Sequence, residues 1–203
     1  MTDLWFKACC SLLLGLLIVS CSDSGKEAAE AHASKQLLTK AELGDYSHGI
    51  ELEEMRFLWR LREDSIDIKL VAPTRGWVAV GFNPETGETM KGADLIIGFV
   101  EDGKVEVLDD YGTMKDKHKD DDKIGGQYNV SNVSGSEANG TTEVSFTIPL
   151  NSGDAKDRPL SLEKDNTVLL AYGKSDKVVL KHKFRALLRL NLSTGENTVV
   201  KMR

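Results

Sequence analysis

From Gly49 onward the chain alternates. Met55, Phe57, Trp59 and Leu61 share one parity, and Arg56 and Arg60 take the other. Ile66, Ile68 and Leu70 alternate with Asp67 and Lys69. A period of two sends successive side chains to opposite faces of an extended chain, so these segments predict strands with one buried face. Residues 77–82 form a short apolar run entered through Arg75-Gly76 and ended by Asn83-Pro84. Residues 95–100 form another, followed by Glu101-Asp102-Gly103 and then Val105 and Val107, which predicts a hairpin. Val144, Phe146 and Ile148 alternate before Pro149, and segments 167–172 and 177–192 complete the series. Many short strands separated by polar turns predict an all-β antiparallel sandwich or barrel. In the last segment Val178, Leu180, His182, Phe184, Ala186, Leu188 and Leu190 share parity, opposite Lys181, Lys183, Arg185 and Arg189. If the chain runs straight there, His182 points into the apolar face. The density of apolar residues leaves a helix open over 178–190.

The N-terminus carries a different pattern. Lys7 precedes an apolar stretch, 8–19, whose length suits the core of a signal peptide and is short for a spanning helix. Leu16-Leu17-Ile18-Val19-Ser20-Cys21 has the form of a bacterial lipoprotein box. This predicts a signal peptide over 1–20 and a lipidated Cys21, with several acyl chains giving near-permanent anchoring. A plain secretory peptide and an uncleaved anchor stay open, because Asp3 opposes Lys7 and Cys9 and Cys10 interrupt the apolar stretch. Residues 21–44, rich in Ser, Ala, Glu and Lys, read as a flexible tether with some helical tendency over 27–36. The folded domain is expected over 45–203. The expected address is a bacterial cell envelope, lipid-anchored, periplasmic or at the outer surface. Ser22, rather than Asp, after the cysteine tilts this toward the outer membrane.

Charge and cysteine count narrow the function. The formal net charge is -6, and residues 1–20 hold one acid and one base, so it stays there after cleavage. That acidity argues against nucleic acid as a partner. All three cysteines lie at or before Cys21, so the domain has neither a disulfide nor a covalent c-type haem motif. No nucleophile motif, HExxH sequence or phosphate loop is present, and no enzyme activity is expected of the chain alone. The acidic segment 109–123 offers Asp116, Asp120, Asp121 and Asp122, but its spacing departs from a calcium loop and interleaved lysines oppose a cation. It reads as a solvated loop. The sequons at Asn129, Asn132, Asn139 and Asn191 carry no weight in a bacterial lipoprotein. Met90, alone in the polar loop 87–94 between two apolar runs, is either a lid on the core or a soft thioether ligand. His182 is either a hydrogen-bonded core residue or a ligand. His32, His48 and His118 lie in the tether, at the domain edge and in the hydrophilic loop.

Taken in order, several blocks resemble the DOMON family. They are Trp59, Gly76-Trp77-Val78-Ala79-Val80-Gly81-Phe82, Met90-Lys91-Gly92-Ala93-Asp94, Asp102-Gly103-Lys104-Val105, Asp110-Tyr111, Ala171-Tyr172-Gly173 and His182. The resemblance implies an immunoglobulin-like antiparallel β-sandwich. Some members of that family bind haem b between a methionine and a histidine, and the matching positions here are Met90 and His182. It therefore implies noncovalent haem b and a one-electron carrier; with the lipid expected on Cys21, a redox partner protein would be met at the membrane surface. Trp77, Phe82, Phe99 and Phe184 are expected to line the pocket, with Lys91, Lys181 and Lys183 near the propionates. Haem-binding relatives often place glycine after the histidine, where this chain has Lys183-Phe184-Arg185-Ala186. The alternative is a module without haem that binds a sugar or a protein at the envelope, with Met90 and His182 as packing residues.

Overall fold

The computed structural model describes residues 38–53 and 55–203. The expected signal peptide, Cys21 and most of the tether lie outside them. A short helix, α1 (Lys40–Leu43), opens the described chain behind a capping box in which Thr39 and Glu42 satisfy each other's backbone N–H groups. The side chains of Leu38 and Leu43 gather with Leu58 around Gly49, so this end of the expected tether rests on the domain.

Twelve strands follow: β1 (His48–Leu52), β2 (Met55–Leu61), β3 (Ser65–Ala72), β4 (Val78–Phe82), β5 (Asp94–Glu101), β6 (Lys104–Met114), β7 (Lys117–Asp120), β8 (Ser131–Ala138), β9 (Thr141–Pro149), β10 (Asn166–Tyr172), β11 (Phe184–Leu190) and β12 (Asn197–Met202). They form two antiparallel sheets, one ordered β1-β2-β3-β9-β8 and the other β12-β11-β10-β4-β5-β6-β7. The fold is the expected all-β sandwich. The turn between β5 and β6 is the expected hairpin, with Asp102 and Gly103 both at positive φ (51° and 74°) as a tight two-residue connection demands.

The core lies between the sheets. Met55, Phe57 and Trp59 of β2 and Ile66, Ile68 and Leu70 of β3 are each fully buried there. They face Val78, Val80 and Phe82 of β4, Val168 and Leu170 of β10, and Ala186, Leu188 and Leu190 of β11 within one cluster. The Trp59 indole N–H donates to the Leu192 carbonyl at 2.8 Å, which satisfies the one polar atom of that side chain.

The seven-stranded sheet is apolar on its other face as well. Trp77, Ala79, Ile97 and Phe99 form a second buried cluster there, covered in part by Val178. A strand buried on both sides reads as a continuous apolar run, and all of β4 is buried.

Two expectations about the last segment are corrected. It is neither a helix nor one straight strand. Residues 173–183 are loop, and β11 begins only at Phe184. Val179 is 85% and Leu180 53% exposed, so the parity of 178–182 does not continue that of β11. The acidic segment is also corrected: it is strand β7 followed by a single 3₁₀ turn (Asp121–Ile124), and Asp109, Asp110 and Asp121 are buried.

Candidate functional site

The floor of the site is the outer face of the seven-stranded sheet. Register places Leu187, Leu169, Gly81 and Leu95 in one row across β11, β10, β4 and β5. Arg185, Ala171, Ala79 and Ile97 form the next row. Gly81, between Leu169 and Leu95, and Ala171 with Ala79, between Arg185 and Ile97, hollow the sheet. A cavity of about 480 Å³ stands on this floor. That size falls within the range of small-molecule and cofactor sites.

Two loops wall the cavity. One joins β4 to β5 and carries Met90; the other joins β10 to β11 and carries His182. Both residues line the same cavity, and both are half-buried. The turn under Met90 is fixed by backbone bonds. Ala93 N–H donates to the Met90 carbonyl (2.9 Å), Gly92 N–H to the Gly112 carbonyl (2.7 Å), and Gly112 N–H to the Ala93 carbonyl (2.9 Å). β6 can approach the turn so closely because residue 112 is glycine: a Cβ there would lie 1.6 Å from the Met90 carbonyl oxygen. The other loop is tied to the sheet by Lys183 N–H to the Tyr172 carbonyl (2.8 Å) and Gly173 N–H to the Trp77 carbonyl (2.9 Å). Gly173 admits the Trp77 indole, since a Cβ at 173 would sit 2.2 Å from its Nε1.

His118 of β7 also lines the cavity. Its Nδ1 pairs with the buried Asp110 carboxylate, and its ring is bonded to the Val178 backbone of the His182 loop. The Asp110 bond, foremost, raises the His118 pKa above its ordinary value, against the opposing effect of burial. His182 goes the other way. Burial first, then the charges of Arg185 and Lys181, lower its pKa, which favours the neutral imidazole. Lys115, Lys181 and Arg185 contribute positive charge to the lining, Lys201 is paired with Glu88 at 3.1 Å, and Asp116 adds an acid. The Trp77 indole N–H is buried against Gly173 and has no hydrogen-bond partner.

Of the residues read from sequence, Met90, His182, Trp77 and Lys181 come together here. Phe82 and Phe184 do not. They share parity with the inner residues of β4 and β11 and lie in the sandwich core, Phe184 stacked on Tyr172 at 5.5 Å. Phe99 packs with Trp77 on the outer face but does not line the cavity. Lys91 pairs with Glu85 at 2.9 Å, and Lys183 sits 5.6 Å from the Tyr172 ring centroid; neither lines the cavity. The sequence reading missed Arg185, Leu187 and Leu169, whose outward parity was visible once β10 and β11 are taken as two-faced strands. It also missed His118, whose approach depends on the β6–β7 pairing.

The family profile of the DOMON domain matches residues 51–173. The chain belongs to the DOMON family. This DOMON domain is 33% identical over 69 residues to MOXD1 homolog 2 of Drosophila melanogaster, a stretch covering 34% of this chain and 9% of that protein. The chain thus spans less than a tenth of that relative's length. The fold is similar to the cytochrome b domain of pyranose dehydrogenase from Coprinopsis cinerea, at 11% identity and a TM-score of 0.49 over 72% of this chain and 77% of that one. It is also similar to the cytochrome domain of Myriococcum thermophilum cellobiose dehydrogenase, at 12% identity and a TM-score of 0.47 over 63% and 68%.

Proposed function

We propose that this DOMON domain binds haem b noncovalently in the cavity and serves as a one-electron carrier, tethered to a bacterial membrane through Cys21. The observation that carries the reading is the meeting of Met90 and His182, 92 positions apart in the chain, on a single apolar cavity. The site fits the group in three respects. The donors are a thioether and a neutral imidazole, a pair suited to haem iron. The floor is hydrocarbon, as a flat macrocycle requires. Lys115, Lys181 and Arg185 in the lining answer carboxylates such as propionates.

Haem b held this way supplies a ferric/ferrous couple, and a thioether in place of a second imidazole raises its potential. The chain's own residues do the rest. Met90 and His182 would hold the iron from two loops, and Gly81, Ala79 and Ala171 leave room above the sheet for the group. With Met90 and His182 both given to holding the group, the domain would act as a carrier. A partner enzyme would supply the substrate chemistry. The lipid on Cys21 confines encounters to a membrane surface and the tether raises the effective concentration of the domain near that partner.

Optical spectra of the full chain, made with haem available, test the reading. The expected result is a low-spin spectrum in the oxidised and reduced forms that is lost in both Met90→Ala and His182→Ala. A colourless protein that takes up no added haem overturns it in favour of a module without haem, and an unchanged spectrum in either variant rejects that ligand.

A further inference from the structure

Next to the Met90 turn, and outside the cavity, lies a set of buried and half-buried carboxylates that the haem reading does not use. Asp94 opens β5, Asp109 lies in β6, and Asp157 comes from the loop between β9 and β10. One oxygen from each lies within 4.8 Å of the others. Asp121, in the 3₁₀ turn, brings its carboxyl within hydrogen-bonding reach of Asp157. Asp109 is 4% and Asp121 1% exposed, and each keeps one carboxylate oxygen buried with no hydrogen-bond partner, as Asp157 does.

Basic side chains near the set are engaged elsewhere. Arg158 donates to the Tyr111 hydroxyl at 3.1 Å and to the Gly92 carbonyl, while Lys156 stands 5.2 Å from the Tyr111 ring centroid. Lys123 pairs with Asp120. Among the described residues, no ion pair reaches Asp94, Asp109, Asp121 or Asp157. The polar contacts of the set come from neutral groups: the Asn129 N–H donates to Asp109 Oδ2 at 2.7 Å, the Arg158 backbone N–H faces Asp94, and the Ser152 and Asn129 side chains reach Asp157. Four acids drawn from four separate segments, with orphaned oxygens and no counter-charge, are an expensive arrangement unless a cation neutralises them.

We propose that Asp94, Asp109, Asp121 and Asp157 form a calcium site. All of the donors are carboxylate oxygens, which suits a hard divalent cation, and calcium tolerates irregular sets of six to eight oxygens better than magnesium does. Bound there, calcium joins β5, β6, the 3₁₀ turn and the β9–β10 loop. Asp94 is four residues from Met90 and directly follows Ala93, whose N–H holds the Met90 carbonyl. The cation therefore stiffens the base of the methionine loop.

Calcium titration of the full chain tests this, with the protein first stripped by EGTA. Isothermal calorimetry is expected to show one calcium per chain, and the thermal midpoint should rise in millimolar calcium relative to EGTA. Asp109→Asn and Asp157→Asn keep shape while removing charge. Each is expected to weaken calcium at least tenfold and to shrink the thermal shift, whereas Asp122→Asn, an exposed neighbour, leaves both unchanged. Circular dichroism in EGTA establishes that the variants fold, and terbium bound by the wild-type chain and displaced by calcium gives a reading that needs no variant. An equal midpoint in calcium and EGTA together with no terbium binding overturns the proposal, as does a full calcium response in folded Asp109→Asn.

Discussion

At the scale of single residues, the site depends on positions whose role is to leave room. Gly112 is the plainest case. Its missing side chain lets β6 press against the Met90 turn, where a Cβ would overlap the Met90 carbonyl oxygen at 1.6 Å. Gly112→Ala is expected to cost about 1–3 kcal/mol, as overpacking in a filled site does. It should also push Met90 off the cavity. Denaturant melts measure the first effect and the haem spectrum the second. A variant with wild-type spectrum and stability would show that the turn does not hold Met90. The sequence showed Met90 and His182 as ligand candidates through residue type and order, because thioether and imidazole chemistry belongs to the side chain alone. It misplaced Phe82 and Phe184 because an aromatic residue near a motif carries no information about which face it takes. Strand parity, applied to β4 and β11 separately, assigns both to the core.

At the scale of elements, the edge strand β7 holds the His182 loop through His118, bonded to Asp110 on one side and to the Val178 backbone on the other. The acids acting on His118 are Asp110 across the ladder and Asp120 on its own strand, and both favour the charged imidazolium. Its pKa is raised in the folded chain above the unfolded value. The stabilisation is therefore fully present below the ordinary histidine pKa of about 6.5 and is lost as the pH rises through the raised folded value. His118→Gln is expected to destabilise the domain by about 1–2 kcal/mol near pH 5.5, with the gap from wild type closing at alkaline pH. Urea melts of both proteins across pH 5.5–9 measure this, and a gap that stays constant with pH would assign His118 a packing role only. The strands themselves were legible, since alternation and turn residues act locally. The break at 173–183 was not. Its apolar residues kept the spacing of a strand while the backbone, pinned by Lys183 N–H to Tyr172 and Gly173 N–H to Trp77, formed a loop. Those bonds join residues that only the folded sheet brings together.

At the scale of the whole molecule, the governing feature is a sheet that is apolar on both faces. One face closes against the five-stranded sheet and needs nothing further. The other is covered by the Met90 and His182 loops with His118 of β7 beside them, leaving hydrocarbon from β4, β5, β10 and β11 around the cavity. If haem fills that cavity as proposed, it removes apolar surface from water and joins the two loops through Met90 and His182, so the bound group is expected to stabilise the fold. By mass action, free haem at a hundred times its dissociation constant adds about 2.7 kcal/mol. For a domain of this size that corresponds to a rise in melting temperature of roughly 5–10 °C. Circular dichroism melts of haem-free and haem-loaded protein give the value directly. His182→Ala, which unlinks one loop while leaving the inner core untouched, is expected to keep the haem-free melting temperature and to lose most of the rise. If haem raised the variant and the wild type equally, the stabilisation would come from the apolar floor alone and not from closure of the loops around the ligand.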